Sequence, residues 1–312
     1  MPRTRPRVGA IIVTHGLPTG LSDCITDILR DDSVTAILVV DNGDEPAAVT
    51  TVNELKELDH RVNCFTPGKN LGFAGGSNLG VALLPEVEFV CLVSPRLRLT
   101  IRLSELCLAA RPEFGLWAGI VTASDTGTVT NVRAPVTIRG EVVGAFLGHH
   151  HGCAAPCPSS GEPVRVSRLS GELLCVRRST FESLGGLDES IEHHYADADL
   201  CDRAQRKGGV WLIPIEAGQL PRRCRDGVEC AQRHQARAVS RVRYLRKLQG
   251  ECATTSATAC LLAILEAVSR LAEPNVDWRA SVGILKVELA EIRHPDSQWV
   301  LRRPRGRAAN RL

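Results

Sequence analysis

The sequence predicts an α/β protein built on a mostly parallel, doubly wound sheet, followed by a helical extension. Three observations carry that expectation. Four short apolar runs (Val8–Thr14, Ala36–Val40, Val62–Phe65 and Phe89–Val93) are rich in β-branched residues and have the length of buried strands. Segments with helical spacing separate them, and strands alternating with helices at this interval imply parallel pairing through crossovers. After about Arg222 the pattern changes to helices only.

Taken in order, VGAIIVT (Val8–Thr14) follows a basic leader and reads as the first strand. Leu21–Leu29 has helical spacing. AILVV (Ala36–Val40) is the second strand, closed by the turn signal Asp41-Asn42-Gly43. Pro46–Leu58 is a helix, Val62–Phe65 a third strand, Gly72–Leu84 a glycine-rich opening into a helix, and Phe89–Val93 a fourth strand. Residues 122–166 are rich in Gly, Thr and Pro and read as irregular strands and loops. Leu169–Val176 reads as a further strand. Ser179–Leu184 reads as a short helix with Ser179 as its cap, Asp197–Arg206 as a polar helix, and Val210–Ile213 as a last strand. In the extension, Val239, Val242, Leu245 and Leu248 share one helix face, with Arg237, Arg241 and Lys247 off it; helices over 254–271 and 277–293 follow. This divides the chain into an α/β domain (1–222), a helical extension (223–301) and a basic, disordered tail (302–312).

The composition is that of a globular protein, with 44% apolar and 23% charged residues. The net charge of +3 hides an asymmetry. Residues 222–312 hold 18 Lys/Arg against 9 Asp/Glu, and residues 1–221 hold 20 against 26, so the last third is +9 and the body −6. A basic end suits an anionic partner such as phosphate or a membrane surface. Nucleic acid is a poor candidate, because an aromatic content of 4% leaves few platforms for stacking bases. Twelve cysteines are spread along the chain, several inside apolar runs. With no secretory h-region at the N-terminus, they read as buried free thiols of a cytoplasmic protein. No apolar run reaches the length of a membrane span; Ala253–Leu265 comes nearest and runs into Glu266.

In sheets of this kind ligands bind beyond the carboxyl ends of the strands. The informative segments are therefore Thr14-His15-Gly16, Asp41-Asn42-Gly43, Pro67–Asn78 and Ser94–Arg98. Asp41 closes a buried strand, where a charge is costly unless it binds something. It suits either a nucleoside ligand or a turn in which Asp accepts from its own backbone. The run Asn70-Leu71-Gly72-Phe73-Ala74-Gly75-Gly76-Ser77-Asn78 lets backbone approach a ligand closely, although similar turns merely open helices.

Together, VGAIIVT, VVDNG, NLGFAGGSNLG, SGELLCVRRSTFESLGGLDE and ADADLCDR resemble the family 2 glycosyltransferases over residues 8–250. Within them, the chain is most similar to the rhamnosyltransferases and galactofuranosyltransferases of bacterial envelope polymers. The resemblance implies a GT-A fold, the Rossmann-like fold of nucleotide-diphospho-sugar transferases, and a UDP- or dTDP-sugar donor. It implies a hydroxyl acceptor on a glycan, lipid-linked intermediate or small molecule. Thr14 and Asp41 would hold the nucleoside, and Asn70, Gly72 and Asn78 would line the donor pocket. Gly171 falls in the acceptor-side segment. Asp197 matches the general base of an inverting transferase, with Asp199 and Arg203 as support. Ala196 stands where the family carries Glu. Asp199 and Arg203, four residues apart, also suit a structural helix pair.

The departures concern metal binding. Where the family places Asn-Pro-Asp or Asp-x-Asp after the fourth strand, this chain has Ser94-Pro95-Arg96-Leu97-Arg98. Where the family has a late His, it reads Gly218-Gln219-Leu220-Pro221-Arg222. A hard divalent cation finds no ligands in such residues, so no metal cofactor is expected at the usual position. Either Arg96 and Arg98, projecting to one side of an extended strand end, clamp the donor diphosphate with help from Ser94, Arg222 and Arg223, or the site has decayed. In the second case the scaffold binds a nucleotide, a glycan or a partner without turnover. His149-His150-His151 with Cys153 and Cys157 has metal-binding residue types, but its spacing fits no standard zinc site, and it reads as an exposed loop. His193 and His194 precede the acidic motif and read either as acceptor contacts or as ordinary surface histidines. The basic helix Arg233–Lys247 would be either a solvated face or a contact with the inner face of an anionic membrane.

Overall fold

A computed structural model describes residues 5–15, 19–43, 47–137, 141, 161–221, 227–249, 259–264 and 278–293. Strands β1 (Val8–Thr14), β2 (Val34–Asp41), β3 (Val62–Phe65) and β4 (Phe89–Val93) pair in parallel in the order β3-β2-β1-β4. Between them run helices α1 (Leu21–Leu29), α2 (Ala47–Leu58) and α3 (Gly72–Leu83). These are the expected alternating elements at nearly the expected bounds. Central β1 and β4 are almost wholly buried, which is why their sequences are continuous apolar runs rather than alternating ones. Arg61 ties the outer edge together. Its guanidinium donates to the carbonyls of Leu29, Asp31 and Val34 at 2.9–3.0 Å, satisfying the end of α1 and the start of β2 at once.

Beyond β4 the sheet becomes mixed. A short strand β5 (Arg98–Leu99) leads to α4 (Leu103–Ala109) and β6 (Leu116–Ala123), and β7 (Val132–Arg133), β8 (Val164–Arg165) and β9 (Arg168–Leu169) follow. The expected strand Leu169–Val176 is in fact two. After β9 the chain leaves the ladder for three residues and returns as β10 (Leu173–Arg177). β10 runs antiparallel to both β4 and β6. The interruption falls on Ser170-Gly171-Glu172, where backbone turns toward the cleft described below. Helix α5 (Arg178–Ser183) has Arg177 as its N-cap and no side-chain capping bond, so Ser179 lies inside the helix rather than capping it. Helix α6 spans Ala196–Gln205. β11 (Val210–Leu220) is much longer than Val210–Ile213, because two register shifts, on either side of Glu216, let it continue along β6. The full order of the main path is β3-β2-β1-β4-β10-β6-β11-β5.

The extension comprises α7 (Gly227–Gln249), a helical stretch over 259–264, and α8 (Trp278–Arg293). Val242, Ala259 and Ile292 join the three in a small apolar cluster. The expected helix face is only half right. Val242 and Leu245 are buried, whereas Leu248 is 46% exposed and Arg241 is 1% exposed. Arg237 is also buried. The basic side chains of α7 turn inward onto acidic residues. Arg243 pairs with Glu192 (2.9 Å) and with the fully buried Glu291 of α8 (2.8 Å). Lys247 reaches Asp188 and Asp199. Among the described side chains, then, the anionic partner of this helix is largely the body of the same chain. The described arginines of this helix are therefore engaged within the chain, while Lys247 keeps a partly exposed side chain. The cysteine cluster 149–157, Arg222, Arg223 and the tail 302–312 lie outside the described residues.

Breaking a buried ion pair from one side strands the other charge. Arg243→Ala is expected to lower unfolding free energy by about 3 kcal/mol in urea titration. Arg243→Met combined with Glu291→Leu is expected to recover most of it.

Candidate active site

The register of β1 on β2 sets Thr14 against Asp41, so the two strands end together. Asp41 is fully buried, and its Oδ1 accepts the Gly43 N–H at 2.9 Å, the local turn role open to it from the start. The Thr14 carbonyl accepts the Asn42 N–H at 2.8 Å. Asn42, which sequence reasoning treated only as a turn residue, couples this edge to the glycine-rich connection. Its Nδ2 donates to the Gly72 carbonyl (3.0 Å), and its Oδ1 accepts the Leu71 N–H (3.2 Å). Asn70 Oδ1 accepts the Gly72 N–H (2.8 Å), which folds the turn back on itself.

Gly72 has φ +68°, and a Cβ there would stand 2.4 Å from the Glu192 carbonyl oxygen. Both facts require glycine. The same carbonyl accepts the Ala74 N–H at 3.0 Å. The start of α3 thus rests directly on the segment that leads into the acidic motif.

Asp197 is the second residue of α6. Its Oδ2 accepts the Gly171 N–H and its Oδ1 the Ala198 N–H, both at 2.8 Å. With Gly171 and Ser94 it lines a cleft of about 430 Å³. The cleft also holds residues that sequence reading did not single out, among them Phe73, Glu172, Arg133 and Arg168. Glu172 Oε2 accepts from the Thr130 hydroxyl (2.7 Å), and Arg133 stands 3.8 Å from Glu172 Oε1. Glu172 had a local signal as the neighbour of Gly171, and Phe73 as part of the glycine-rich run; Arg133 comes from the irregular middle of the chain and Arg168 from just after it, where sequence spacing carries little information. His193 and His194 line the same cleft. Burial holds the His193 imidazole below its usual pKa, which favours the neutral ring.

Of the expected donor-side residues, Ser94 alone lines this cleft. Asn78 is engaged across the fold rather than on this cleft. Its Nδ2 donates to the Leu187 carbonyl (2.8 Å) and Glu189 (2.9 Å), and its Oδ1 accepts the Leu187 N–H. Ser94–Leu97 form a hydrogen-bonded turn, with Leu97 N–H donating to the Ser94 carbonyl at 3.0 Å. The extended geometry that would aim Arg96 and Arg98 together is therefore absent. Arg98 binds Asp27 (2.8 Å) and Asp23 (3.0 Å) on α1. Arg96 instead donates to the Pro221 carbonyl at 2.7 Å, which brings the end of β4 beside the end of β11. Asp199 and Arg203 form the structural pair, at 2.7 Å, with Asp199 5% exposed and Arg203 also donating to the Leu184 carbonyl.

The donor set after β4 does not fit a divalent cation. Such ions take oxygen ligands, and here the central position presents a guanidinium. Among the described residues, no three His, Cys, Asp or Glu side chains gather as a metal-binding group.

Ser94 after β4, Phe73 at the start of α3 and the aspartate at the head of α6 meet at one cleft. Solved structures share the fold. GalNAc-T7 with UDP, GalNAc and Mn²⁺ superposes with a TM-score of 0.63 at 11% identity, covering 94% of this chain and 57% of that one. The mannosyltransferase PcManGT from Pyrobaculum calidifontis, in complex with GDP-Man and Mn²⁺, superposes with a TM-score of 0.54 at 15% identity, covering 95% and 89%. The fold is GT-A. Within this GT-A chain, 203 residues align at 27% identity with the N-acetylglucosaminyl-diphospho-decaprenol L-rhamnosyltransferases of two Mycobacterium tuberculosis strains, CDC 1551 / Oshkosh and H37Rv. The aligned part is 59% of this chain and 64% of those relatives. No protein-family model matches the sequence. No helix among the described residues is long and apolar enough to cross a membrane.

Gly72→Ala places a Cβ against the Glu192 carbonyl and a side chain in the left-handed region, which alone costs about 1–2 kcal/mol. The variant is expected to melt several degrees lower by calorimetry. Gly68→Ala, also at positive φ but with open space around its Cβ, is expected to lose only the backbone contribution.

Proposed function

We propose that the protein is an inverting glycosyltransferase that moves a sugar from a UDP- or dTDP-sugar to a hydroxyl of a glycan, lipid-linked or small-molecule acceptor. The observation that carries this reading is the Asp197 carboxylate, oriented by two backbone N–H groups at a cleft that it shares with Ser94 from the end of β4. The similarity to a rhamnosyltransferase that acts on a sugar-diphospho-lipid supports a rhamnosyl donor and an acceptor of that class.

In this mechanism Asp197 removes the proton of the acceptor hydroxyl. The hydroxyl oxygen attacks the anomeric carbon from the side opposite the diphosphate and forms the new glycosidic bond. The bond from that carbon to the diphosphate oxygen breaks, and the electron pair leaves with the nucleoside diphosphate. Arg96, two residues beyond Ser94 and bound to the Pro221 carbonyl in the free protein, would turn to the diphosphate and stabilise the charge that develops there. A guanidinium remains cationic at any working pH and binds phosphate oxygens directionally. Thr14 and Asp41 place the nucleoside. No step is assigned to a metal ion, because the residues after β4 do not suit one. Arg98, held by Asp23 and Asp27, acts at most through the turn it anchors.

Ala196, in place of the family's Glu and fully buried, favours a second reading in which the scaffold binds nucleotide without turnover.

The test uses UDP and dTDP in calorimetric titration, then a panel of UDP- and dTDP-sugars, including dTDP-rhamnose, with sugar-diphospho-lipid and simple glycoside acceptors. Arg96→Ala is expected to weaken nucleotide binding about tenfold or more, and EDTA to leave it unchanged. Asp197→Asn is expected to lower turnover by about 10²–10⁴ with nucleotide affinity preserved. Normal turnover in Asp197→Asn would remove the base assignment. Nucleotide binding with no transfer to any acceptor would favour the second reading.

A further inference from the structure

Tyr195 has φ +68° and ψ −5°, and it is the one non-glycine residue with positive φ among those described. For an L-residue this conformation costs about 1–2 kcal/mol and persists only where the surroundings over-determine it. Tyr195 directly precedes α6. Its carbonyl accepts the Asp199 N–H (2.9 Å), so its backbone sets the direction in which the first turn, with Asp197, enters the cleft.

The surroundings that fix Tyr195 come largely from the helical extension. Its ring stacks on Tyr244 of α7, with centroids 5.4 Å apart and planes at 23°. Its hydroxyl donates to Glu141 Oε2 (2.9 Å) and accepts from Arg237 of α7 (3.4 Å). Burial pushes the phenol up to about 12, so it stays a proton donor across the working range. The same helix grips the segment on both sides of Tyr195. Arg243 binds Glu192 before it, while Lys247 binds Asp199 and the Tyr244 hydroxyl binds Asp202 after it. The carboxylate of Asp197 hydrogen-bonds to Gly171 and Ala198. These contacts of α7 fall on residues flanking Asp197, so they act on it through backbone geometry.

We infer that Tyr195 and Tyr244 are positioning residues, and that α7 is part of the catalytic apparatus because it holds Tyr195 in the left-handed conformation that aims Asp197 at Gly171 and the cleft. A segment that needed only stability would adopt this turn more cheaply with glycine. Here a large, buried side chain is kept at a strained position, and both ends of that side chain are anchored. The inference rests on Asp197 being the base, but the orientation it describes is observable without turnover.

The test is amide hydrogen exchange by NMR on the full chain, together with steady-state kinetics. In Tyr195→Gly the backbone strain is relieved and both anchors are lost. Exchange at Gly171 and Ala198 is expected to rise about tenfold or more, while β1 and β2 stay protected. The kcat is expected to fall by a similar factor with donor KM unchanged. Tyr195→Phe keeps the stacked ring and is expected to restore most of the protection and rate. If Tyr195→Gly does not fold, Tyr244→Leu removes the stacking partner and is judged by the same measurements. Wild-type protection of Gly171 and Ala198 in a folded variant of either kind would overturn the inference. So would a uniform loss of protection across the sheet, which indicates a purely structural role. Asp197→Asn separates the two claims. Normal turnover there defeats the base assignment, whereas inactivity there with unperturbed exchange in the tyrosine variants defeats only the positioning role.

Discussion

The carbonyl of Glu192 is the point on which the two halves of the site bear. It accepts the Ala74 N–H and lies where a Cβ on Gly72 would have to be. The glycine-rich start of α3 and the segment leading to Asp197 are therefore at van der Waals contact, backbone against backbone. Asn42 extends the coupling to the end of β2 through two hydrogen bonds. Asp41 and Asp197, more than 150 residues apart in sequence, are thus linked by main-chain contacts and one short side chain, Asn42, with few rotatable bonds between them. Such a connection holds geometry more tightly than side chains alone.

Electrostatics explains why the extension belongs to this unit. An isolated reading of charge finds an acidic body and a basic end and looks outside the chain for the partner of each. In the fold they meet one another. Arg243 bridges Glu192 and Glu291, and Lys247 bridges Asp188 and Asp199. Buried pairs such as Arg243–Glu291 add little net stability compared with apolar packing, but they penalise any arrangement that separates them. Their effect is on orientation, and the residues they orient flank Asp197.

Arginine after β4 has two different outcomes within three residues. Arg98 is held by the carboxylates of α1, and its role is to fix the turn that follows the strand. Arg96 reaches the end of β11. The difference arises because Ser94–Leu97 close a turn rather than continue the strand. Alternation along an extended chain, which would place both side chains on one side, does not survive that turn.

The sequence by itself determined the parallel half of the sheet, its helices, the glycine connection and the head of α6. Each of these is marked by local periodicity or by a residue type with a backbone requirement, as at Gly72. The pair Asp199–Arg203 was legible for the same reason, since four residues on a helix bring side chains together wherever the helix sits. The tertiary structure alone decided what depends on non-local contacts. The break in the strand at Ser170-Gly171-Glu172 and the long β11 answer to neighbouring strands. The cleft residues Phe73, Arg133, Arg168 and Glu172 converge from separate elements. Asn78 is turned to Leu187, and Arg98 to α1, by partners more than 70 residues away in sequence. The burial of Arg237 and Arg241 on α7 was not legible, because helical spacing shows which residues share a face, whereas burial depends on what packs against it. A face of arginines becomes an interior once carboxylates are brought opposite.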